Sequence, residues 1–412
     1  MPSKLMTLEE ARSILLQAAP VGGTERIPLA AAAGHVLAEP VRADRPIPPY
    51  HRAAMDGYAV RAADLAGARA GSPVSLTCVG EVLPGQPWPS PIEPGTCVAI
   101  MTGAAVPAGA DAVVEIEATE VGEWCTGGGE VRIASPVEVG RNISPRGEDA
   151  QEGELLAGPG EWLSPQLCGL LALCGHTAVT VYHLPRVAIL STGNEIVAPE
   201  VQPSPYQVRD ANRAIITAVL AHYGFSAGAD LGIRRDDPQE LHNALQEGLQ
   251  YDVLLASGGV SRGMTDLLPR VLESLGVLRL FSGVATKPGK PLWAGITSDG
   301  CVVLALPGNP LAVLVHMHEM AVPLLRRMAG HPDPVLPLLP ATLAADFSTK
   351  GDRLILQPAR IEGGGQAGFQ ATPLPSHGSA DLVGMARANG YIFLEPGQHK
   401  WERGTPVEVR TW

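Results

Sequence analysis

The sequence predicts a multidomain α+β protein, with a doubly wound α/β domain between β-rich N-terminal segments and a small C-terminal β domain. A chain of 412 residues corresponds to about two to four domains of ordinary size. Unbroken apolar runs alternate with helical patterns between residues 187 and 328, as expected for a parallel sheet that is buried on both faces. On either side of this region, glycine and proline turns separate short apolar runs, which is typical of all-β structure.

The N-terminal half begins with a helix signature. Thr7 and Glu10 form a capping box, and apolar residues follow at helical spacing. After residue 27 the pattern changes to short runs that predict strands at 74–79, 96–100, 112–116 and 131–133. A second apolar helix is predicted for residues 164–175, because the segment opens with Ser-Pro.

From residue 186 onward, strands and helices alternate. Strands are predicted at 187–190, 227–233, 253–256 and 301–306. Helices are predicted at 212–223, 238–249, 267–275 and 311–328, the last of them bent at Pro323. This alternation predicts a mostly parallel sheet. After residue 332 a proline-rich linker leads to the short strands of the C-terminal domain.

Composition excludes several classes of function. The chain has 30 Lys plus Arg against 42 Asp plus Glu, a net charge of −12, and only 4% aromatic residues. Without a basic run, nucleic acid is excluded as a main partner. No apolar stretch is long enough to span a bilayer, so we expect no membrane association. The six scattered cysteines contain no CxxC pair, and we expect reduced thiols and a cytoplasmic location.

Three predicted strands of the α/β region run directly into loops of small residues. The loops are Ser191-Thr-Gly-Asn-Glu195, Ser257-Gly-Gly-Val-Ser261 and Pro307-Gly-Asn-Pro310. The carboxyl ends of parallel strands share one edge of a sheet, where ligands bind and free N–H groups favour anions. Lys287 and Lys290, on a stiff KPGKP turn, add two cations suited to a phosphate or another oxyanion.

Acidic residues cluster in the same loops: Glu195, Asp210, Asp236, Asp237 and Asp266. Carboxylates beside a phosphate commonly hold Mg²⁺. Helix capping is the alternative for two of them, because Asp210 and Asp236 each shortly precede a predicted helix.

Polar residues also lie in glycine turns of the N-terminal half, at 54–59, 101–103 and 146–149. Taken one at a time, each of these motifs fits an ordinary structural turn. His316 and His318 are two apart on a helix and face different ways, so they do not form a metal pair. The sequence contains no HExxH motif.

Read together and in order, these motifs resemble the molybdopterin molybdenumtransferase family, which is called MoeA in bacteria; animal gephyrin and its plant counterpart carry a similar module. The matching segments are AAMDGYAV (53–60), IMTGAAVPAGADAVV (100–114), RGEDAQEG (146–153), STGNE (191–195), SGGVSRGMTD (257–266), KPGKP (287–291) and LPGNP (306–310). The resemblance spans nearly the whole chain.

The resemblance implies four parts. They are a linker and dimerisation domain (1–45 with 150–182), a β-rich domain (46–149), a MogA-like α/β molybdopterin-binding domain (183–330) and a β-barrel-like C-terminal domain (331–412). It also implies a transferase that inserts molybdate into adenylylated molybdopterin, releasing AMP and forming molybdenum cofactor. Its cation would be Mg²⁺, with Zn²⁺ as the alternative. The enzyme would be a homodimer that shares each active cleft. Molybdopterin adenylyltransferase and downstream molybdoenzymes or their chaperones are the other implied partners.

The family's functional positions carry over residue by residue. The implied catalytic residues are Asp56, Thr102, Asp149, Glu195, Asp236 and Asp266, of which Glu195 and Asp266 would also hold the metal. The implied substrate and molybdate ligands are Ser257, Gly258, Gly259, Ser261, Lys287, Lys290, Pro307, Gly308, Asn309, Arg353 and Ser379. Three positions depart from the family: Ala53 and Ala312 replace a common serine, and Asn194 replaces a usual aspartate.

Two other functions stay open. A non-catalytic molybdopterin-binding or scaffolding paralogue would keep the fold and lose turnover, and Asn194 and Ala312 favour it. A pterin adenylyltransferase would share the α/β domain and consume ATP. The long N-terminal region and the C-terminal β domain argue against that function.

Overall fold

The computed structural model describes residues 5–120, 124–260, 267–365, 368–375 and 378–412. The helices are α1 (Leu8–Ala18), α2 (Pro165–Leu173), α3 (Asn212–His222), α4 (Pro238–Gly248), α5 (Leu267–Ser274), α6 (Pro310–His316), α7 (Val322–Met328) and α8 (Leu382–Met385). The first strands are β1 (Thr24–Pro28), β2 (Val41–Arg42), β3 (Arg52–Ala53), β4 (Gly57–Val60), β5 (Val74–Val82), β6 (Thr96–Ile100), β7 (Ala112–Glu115), β8 (Thr119–Glu120), β9 (Glu130–Ile133), β10 (Ile143–Ser144), β11 (Leu155–Ala157) and β12 (Ala178–Tyr182). The middle strands are β13 (Val187–Thr192), β14 (Ile196–Val197), β15 (Val208–Arg209), β16 (Ala227–Arg234), β17 (Val253–Ser257), β18 (Leu278–Ser282), β19 (Thr286–Lys287), β20 (Trp293–Ile296) and β21 (Val302–Leu306). The last strands are β22 (Leu339–Leu343), β23 (Phe347–Ser348), β24 (Leu354–Gly363), β25 (Phe369–Pro373), β26 (Gly390–Leu394), β27 (Lys400–Trp401) and β28 (Pro406–Thr411).

The chain forms two compact units from interleaved segments. The first unit comprises Met1–Ala38, Pro159–Ser164 and Ala178–Trp412, and the second comprises Glu39–Gly158 and Pro165–Thr177. Within the first unit β1 pairs with β12, and within the second β2 pairs with β11. Among the described residues, every helix is too short or too polar to cross a membrane.

The central sheet of the first unit has the strand order β16-β13-β17-β21-β20-β18. The first four strands are parallel, which confirms the prediction from the apolar runs. The two antiparallel strands at the other edge, β20 and β18, were not predicted from the sequence. β18 contains an arginine and exposes most of its residues, whereas β20 is apolar and buried but only four residues long.

Successive residues of the central strands pack on opposite faces of this sheet. In β13, Val187 and Ile189 join the core beneath α1, α3, α6 and α7, whereas Ala188 and Leu190 join the core beneath α4 and α5. The side chains alternate because the pleat has a period of two. Burial of each valine, isoleucine or leucine of this kind contributes about 1.5–3 kcal/mol. Packing on both faces therefore stabilises the strands that end at the rim of the sheet.

The N-terminal helix begins as its capping signature predicts. The Thr7 hydroxyl accepts a hydrogen bond from the Glu10 backbone N–H at 3.1 Å, and the Glu10 carboxylate accepts one from the Thr7 N–H at 2.8 Å. Leu8, Ala11 and Leu15 are buried on one face of α1. The capping box therefore sets both the start of the helix and the face that enters the core.

The long helix predicted for residues 311–328 is interrupted before Pro323, not bent at it. A π-turn, Met317–Ala321, joins α6 to α7. Proline has no N–H to donate, and its ring crowds the carbonyl four residues earlier, at Glu319. The wider turn relieves that clash within a fully buried segment.

The C-terminal strands form a closed, barrel-like sheet in the order β19-β24-β25-β22-β28-β26. The long strand β24 pairs with both β25 and β26, and this double pairing closes the sheet. The fold class is therefore the predicted one, a multidomain α+β protein with a doubly wound α/β domain and a barrel-like C-terminal sheet. β19 extends this sheet from the α/β region, because Thr286 and Lys287 pair with Leu354 and Ile355.

The sheet of the second unit has the order β7-β4-β6-β5-β9-β8. β4 follows directly on Asp56 and is buried along its whole length. Tyr58 packs on Trp124 with ring centroids 5.4 Å apart, and its hydroxyl accepts the Cys125 N–H at 3.0 Å. The motif around Asp56 is thus anchored by the core of this sheet on one side.

Candidate active site

Three loops at the carboxyl ends of β13, β17 and β21 meet around one cavity, as the sequence predicts for a parallel sheet. The cavity has a volume of about 270 Å³. Its walls include Thr192 and Gly193, Ser257 to Gly259, and Pro307 to Asn309. The hydroxyls of Ser191 and Ser257 are 3.2 Å apart, which links two of the strands at this rim.

Three carboxylates line this cavity, which is called the acidic cavity below. They belong to Glu195, Asp210 and Asp236, and no lysine or arginine of the described chain segments lines it. The Asp236 carboxylate accepts a hydrogen bond from the Thr192 hydroxyl at 2.7 Å. Helix capping is therefore the wrong interpretation for Asp236: Asp237 caps α4, accepting N–H groups of its first turn.

Two buried acceptors of the acidic cavity have no hydrogen-bond partner in the part of the chain that the structure describes. They are Oδ2 of Asp210 and Oδ1 of Asn212. Asp210 does contact the first turn of α3, because its other oxygen accepts the Arg213 N–H at 3.1 Å. Oδ2 of Asp210 faces the Arg213 guanidinium at 3.7 Å, so its charge is already paired, whereas the unpartnered Asn212 oxygen indicates a place for a cation or a donor group. Asn212 was not predicted as a site residue, because no motif marks it.

Gly258 allows the second loop to approach the first. Its φ is +98°, and a Cβ atom there would lie 2.2 Å from the Thr192 carbonyl oxygen. Only glycine fits this contact, because any side chain would push the two strands apart. The same residue donates its N–H to the Leu306 carbonyl at 3.2 Å, so it joins all three rim loops.

A second, larger cavity adjoins the first and carries the opposite charge. It has a volume of about 900 Å³ and shares Pro291, Pro307 and Asn309 with the acidic cavity. The whole chain contains five lysines. Four of them line this basic cavity together with one arginine: Lys287, Lys290, Lys350, Lys400 and Arg353. No Asp or Glu of the described segments lines it. Such a surface favours a compact, multiply charged anion.

Lys350 and Lys400 were not predicted as site residues, because neither lies in a recognisable motif. They lie on the C-terminal wall of the basic cavity, where Ser348 pairs with Lys400 between β23 and β27. Lysine is rare in this chain, and this rarity was the one available signal. Only the tertiary structure brings Lys350 and Lys400 to the turn that carries Lys287 and Lys290.

The other predicted oxyanion ligands also line the basic cavity. The Asn309 amide donates to the Ser379 hydroxyl at 2.6 Å, which connects the third rim loop to the C-terminal domain. Arg353 donates to the Thr286 carbonyl oxygen at 2.8 Å, immediately before Lys287. Ala312 lines the same cavity and brings no hydroxyl to it.

Of the predicted catalytic residues, Asp56 and Thr102 form a pair in the second unit. One oxygen of Asp56 accepts both the Thr102 backbone N–H at 2.7 Å and the Thr102 hydroxyl at 2.8 Å. The N–H bond, reinforced by the hydroxyl, holds the pKa of Asp56 below its ordinary value. Asp149 lies in a separate exposed turn, where its N–H donates to the Ile47 carbonyl at 2.9 Å. Ser261 and Asp266 lie outside the described residues.

The doubly wound sheet and its paired cavities define a class: proteins that bind a phosphate-bearing ligand at the carboxyl edge of a parallel sheet. Three family models match the chain in order: "MoeA N-terminal region (domain I and II)" at residues 6–175, "Probable molybdopterin binding domain" at 188–327 and "MoeA C-terminal region (domain IV)" at 340–412.

Relatives that align over nearly the whole chain support the same family. A molybdopterin molybdenumtransferase of Synechocystis sp. is 31% identical over 383 residues, which cover 92% of this chain and 93% of that protein. The enzyme of that name from Bacillus subtilis is 32% identical, with coverage of 94% and 90%. A solved molybdopterin biosynthesis MoeA protein from Pyrococcus horikoshii OT3 superposes with a TM-score of 0.82 at 27% identity, covering 99% of this chain and all of that one. The chain belongs to the molybdopterin molybdenumtransferase family.

Proposed function

We propose that this chain inserts molybdate into adenylylated molybdopterin and releases AMP. The observation that carries the proposal is the contact between the acidic and the basic cavity at the carboxyl edge of the sheet. Adenylylated molybdopterin carries a pyrophosphate, and molybdate is a tetrahedral dianion. A site for both needs a place for cation-bridged phosphate beside a place for a bare oxyanion, and the two cavities supply these surfaces side by side.

The basic cavity suits molybdate. Lys287 and Lys290 supply ammonium groups, and Arg353 and Ser379 supply further N–H and O–H donors from the C-terminal domain. Without a carboxylate on its described walls, the cavity leaves these positive charges free for a ligand. In the reaction, the same groups hold the oxyanion against the bound substrate and neutralise its charge.

The acidic cavity suits Mg²⁺ better than Zn²⁺. The described residues that line it offer carboxylate, amide and hydroxyl oxygens, which Mg²⁺ prefers, whereas Zn²⁺ favours cysteine and histidine. The described carboxylates do not form a metal-binding cluster by themselves, so the ion would also need the substrate. Glu195 and Asp236 would hold the ion together with the substrate phosphates and Asp266. The unpartnered oxygen of Asn212 fits a cation held nearby, whereas the Asp210 carboxylate is already paired with Arg213. When bound, the ion withdraws charge from the pyrophosphate whose cleavage releases AMP.

AMP release tests this function directly. We expect the wild-type chain to release AMP from adenylylated molybdopterin with Mg²⁺, faster when molybdate is present. Lys290→Met should lower the molybdate-dependent rate at least about tenfold, because one of the oxyanion's cations is lost. Arg279→Met is the matched control, since Arg279 is an exposed cation that lines neither cavity. Tight substrate binding without AMP under any condition would favour the scaffolding alternative, in which Ala312 and Asn194 have cost the chain its turnover.

We also propose that the active unit is a homodimer, in which Asp56, Thr102 and Asp149 act on the cavities of a second copy. The geometry that supports this is the exposure of the Asp56–Thr102 pair, whose carboxylate and hydroxyl are open to an incoming ligand. Mixing two inactive variants tests it. Asp56→Asn and Lys287→Met would place both defects in one site of the mixed dimer and leave the other site intact. We expect the mixture to regain about a quarter of wild-type activity. No recovery would show that the residues act within one chain.

The proposal also covers the domain division, the compartment and the partners of this chain. The four-part division at residues 1–45 with 150–182, 46–149, 183–330 and 331–412 is proposed for this chain as for the family. The six cysteines form no disulfide, which supports a reducing compartment such as the cytoplasm. There, a molybdopterin adenylyltransferase would supply the substrate, and molybdoenzymes or their chaperones would take the product.

A further inference from the structure

A buried histidine lies directly beneath the turn that carries two lysines of the basic cavity. His316 is the last residue of α6 and is completely buried. Its Nε2 atom is 2.7 Å from the carbonyl oxygen of Gly289, which lies between Lys287 and Lys290. Ala312 lines the cavity one helical turn before His316, so the histidine stands on the cavity side of α6.

The imidazole of His316 is held as one neutral tautomer. Burial lowers its pKa to about 4, so the ring is neutral at pH 7. A carbonyl oxygen can only accept, and therefore Nε2 carries the proton and donates it to Gly289. Nδ1 is then an unprotonated acceptor, buried and without a hydrogen-bond partner in the described segments. Within those segments the ring serves a single polar contact, the one to the lysine turn.

The lysine turn is shaped to rest on this ring. Gly289 has a φ of +95°, and a Cβ atom there would lie 2.2 Å from Nε2 of His316. The two ends of the turn are anchored elsewhere: Lys287 belongs to β19, and the Lys290 carbonyl accepts the Val284 N–H at 3.0 Å. The histidine therefore holds the apex, between two lysines whose backbones are fixed on either side.

We propose that His316 is a positioning residue for the oxyanion, holding the Lys287–Lys290 turn so that both ammonium groups stay directed at the basic cavity. The inference rests on the proposed function, because it takes these lysines to bind molybdate. Donors that are in place before the ligand arrives need no reordering on binding. A turn released from the histidine would have to be ordered by the ligand itself, and this lowers affinity.

Molybdate titrations of two variants test the role of the donor. His316→Leu fills much of the same space but cannot donate, whereas His316→Gln can offer an amide N–H to Gly289. We expect His316→Leu to weaken molybdate binding about tenfold in calorimetry on the full chain, and His316→Gln to recover part of the loss. AMP binding, measured in the same way, should stay unchanged in both variants. A parallel loss of AMP affinity would show general damage and overturn the inference.

His318 provides the matched control. It is buried in the same helical segment, but its Nδ1 atom lies 2.9 Å from the Leu314 carbonyl of its own helix. His318→Leu should destabilise the protein and keep its molybdate affinity. Equal losses of affinity in His318→Leu and His316→Leu would assign the effect to packing and refute the positioning role.

The double variant of His316→Leu and Lys290→Met provides a further test. If His316 acts through the lysines, His316→Leu should add little to the loss already caused by Lys290→Met. Fully additive losses would contradict the inference. A wild-type chain that binds no molybdate would instead refute the proposed function, so the two failures are distinguishable.

Discussion

Glu319 joins three parts of the first unit through buried charges, and its replacement by glutamine should be strongly destabilising. Its carboxylate, fully buried in the π-turn, accepts from Arg12 of α1 at 2.9 Å and from Arg410 of β28 at 3.2 Å. A second contact to Arg410 and the Tyr391 hydroxyl complete the cluster. Burial of Arg410 disfavours its charge, but the neighbouring carboxylate outweighs this effect and leaves its pKa above the ordinary value.

The expected cost follows from what Glu319→Gln leaves behind. Arg12 is 16% exposed and can turn toward water, whereas the Arg410 side chain is only 3% exposed and cannot. Losing one partner of a buried ion pair costs about 3–5 kcal/mol. Arg410 also donates to the Leu336 carbonyl at 2.6 Å, so part of its hydrogen bonding survives. We therefore expect about 3 kcal/mol, the lower end of that range.

Urea unfolding followed by tryptophan fluorescence measures this loss. Trp412 is a suitable probe, because its ring centroid lies 5.7 Å from that of Tyr391. Trp412→Phe identifies its share of the signal, and transition midpoints are compared because a multidomain chain need not unfold in one step. Asp252→Asn is the control: it breaks a 3.0 Å pair with Arg186 that is largely exposed, for about 0–1 kcal/mol. Equal shifts in the two variants would refute the argument from burial.

Three further predictions concern pH, backbone geometry and the second unit. Burial depresses the pKa of His316 from 6.5 to about 4, so between these values the unfolded chain binds a proton that the folded chain does not. The contribution of His316 to the free energy of unfolding should fall by about 3 kcal/mol as pH drops through that window, and His316→Gln should remove this contribution in urea titrations at several pH values. Burial also lowers the pKa of His331 to about 4 and that of His318, so part of the pH dependence should remain in the variant. Gly258→Ala should cost at least about 2 kcal/mol, because its Cβ would meet the Thr192 carbonyl at 2.2 Å. At Gly308 the nearest atom is 3.8 Å away, so alanine should be tolerated there, and thermal melts of the two variants measure the difference. Asp56→Asn alters an exposed carboxylate and should shift stability by no more than about 0.5 kcal/mol while reducing AMP release, and unchanged turnover would exclude Asp56 from the reaction.

Local chemistry explains why much of the fold could be predicted. The capping box at Thr7 marks a helix start because donor and acceptor are three residues apart on one chain. The runs at 187–190, 253–256 and 301–306 predict parallel strands because burial on both faces demands apolar residues at every position. The π-turn before Pro323 could not be predicted in the same way. A proline indicates that a helix is interrupted or bent, but the packing around it determines which of these occurs and where.

The candidate site also contains residues that could be predicted from the sequence and residues that could not. Glu195 and Asn309 could be assigned to one rim because the topology of parallel strands brings their loops together. Lys350 and Lys400 carry no motif, and only the folding of the C-terminal domain brings them to the cavity that Lys287 lines. Only the tertiary structure therefore shows that these two lysines belong to the basic cavity.

The sequence by itself determined the class of the protein, the strand-loop-helix order and the residue types that suit phosphate, metal and oxyanion, because propensity and periodicity act over a few neighbouring residues. The tertiary structure alone decided the separation of charge into an acidic and a basic cavity. It also decided that Asp237 caps α4 while Asp236 faces the acidic cavity, and that His316 meets the lysine turn. These contacts join residues far apart in the chain, and only the packing of the whole core sets such distances.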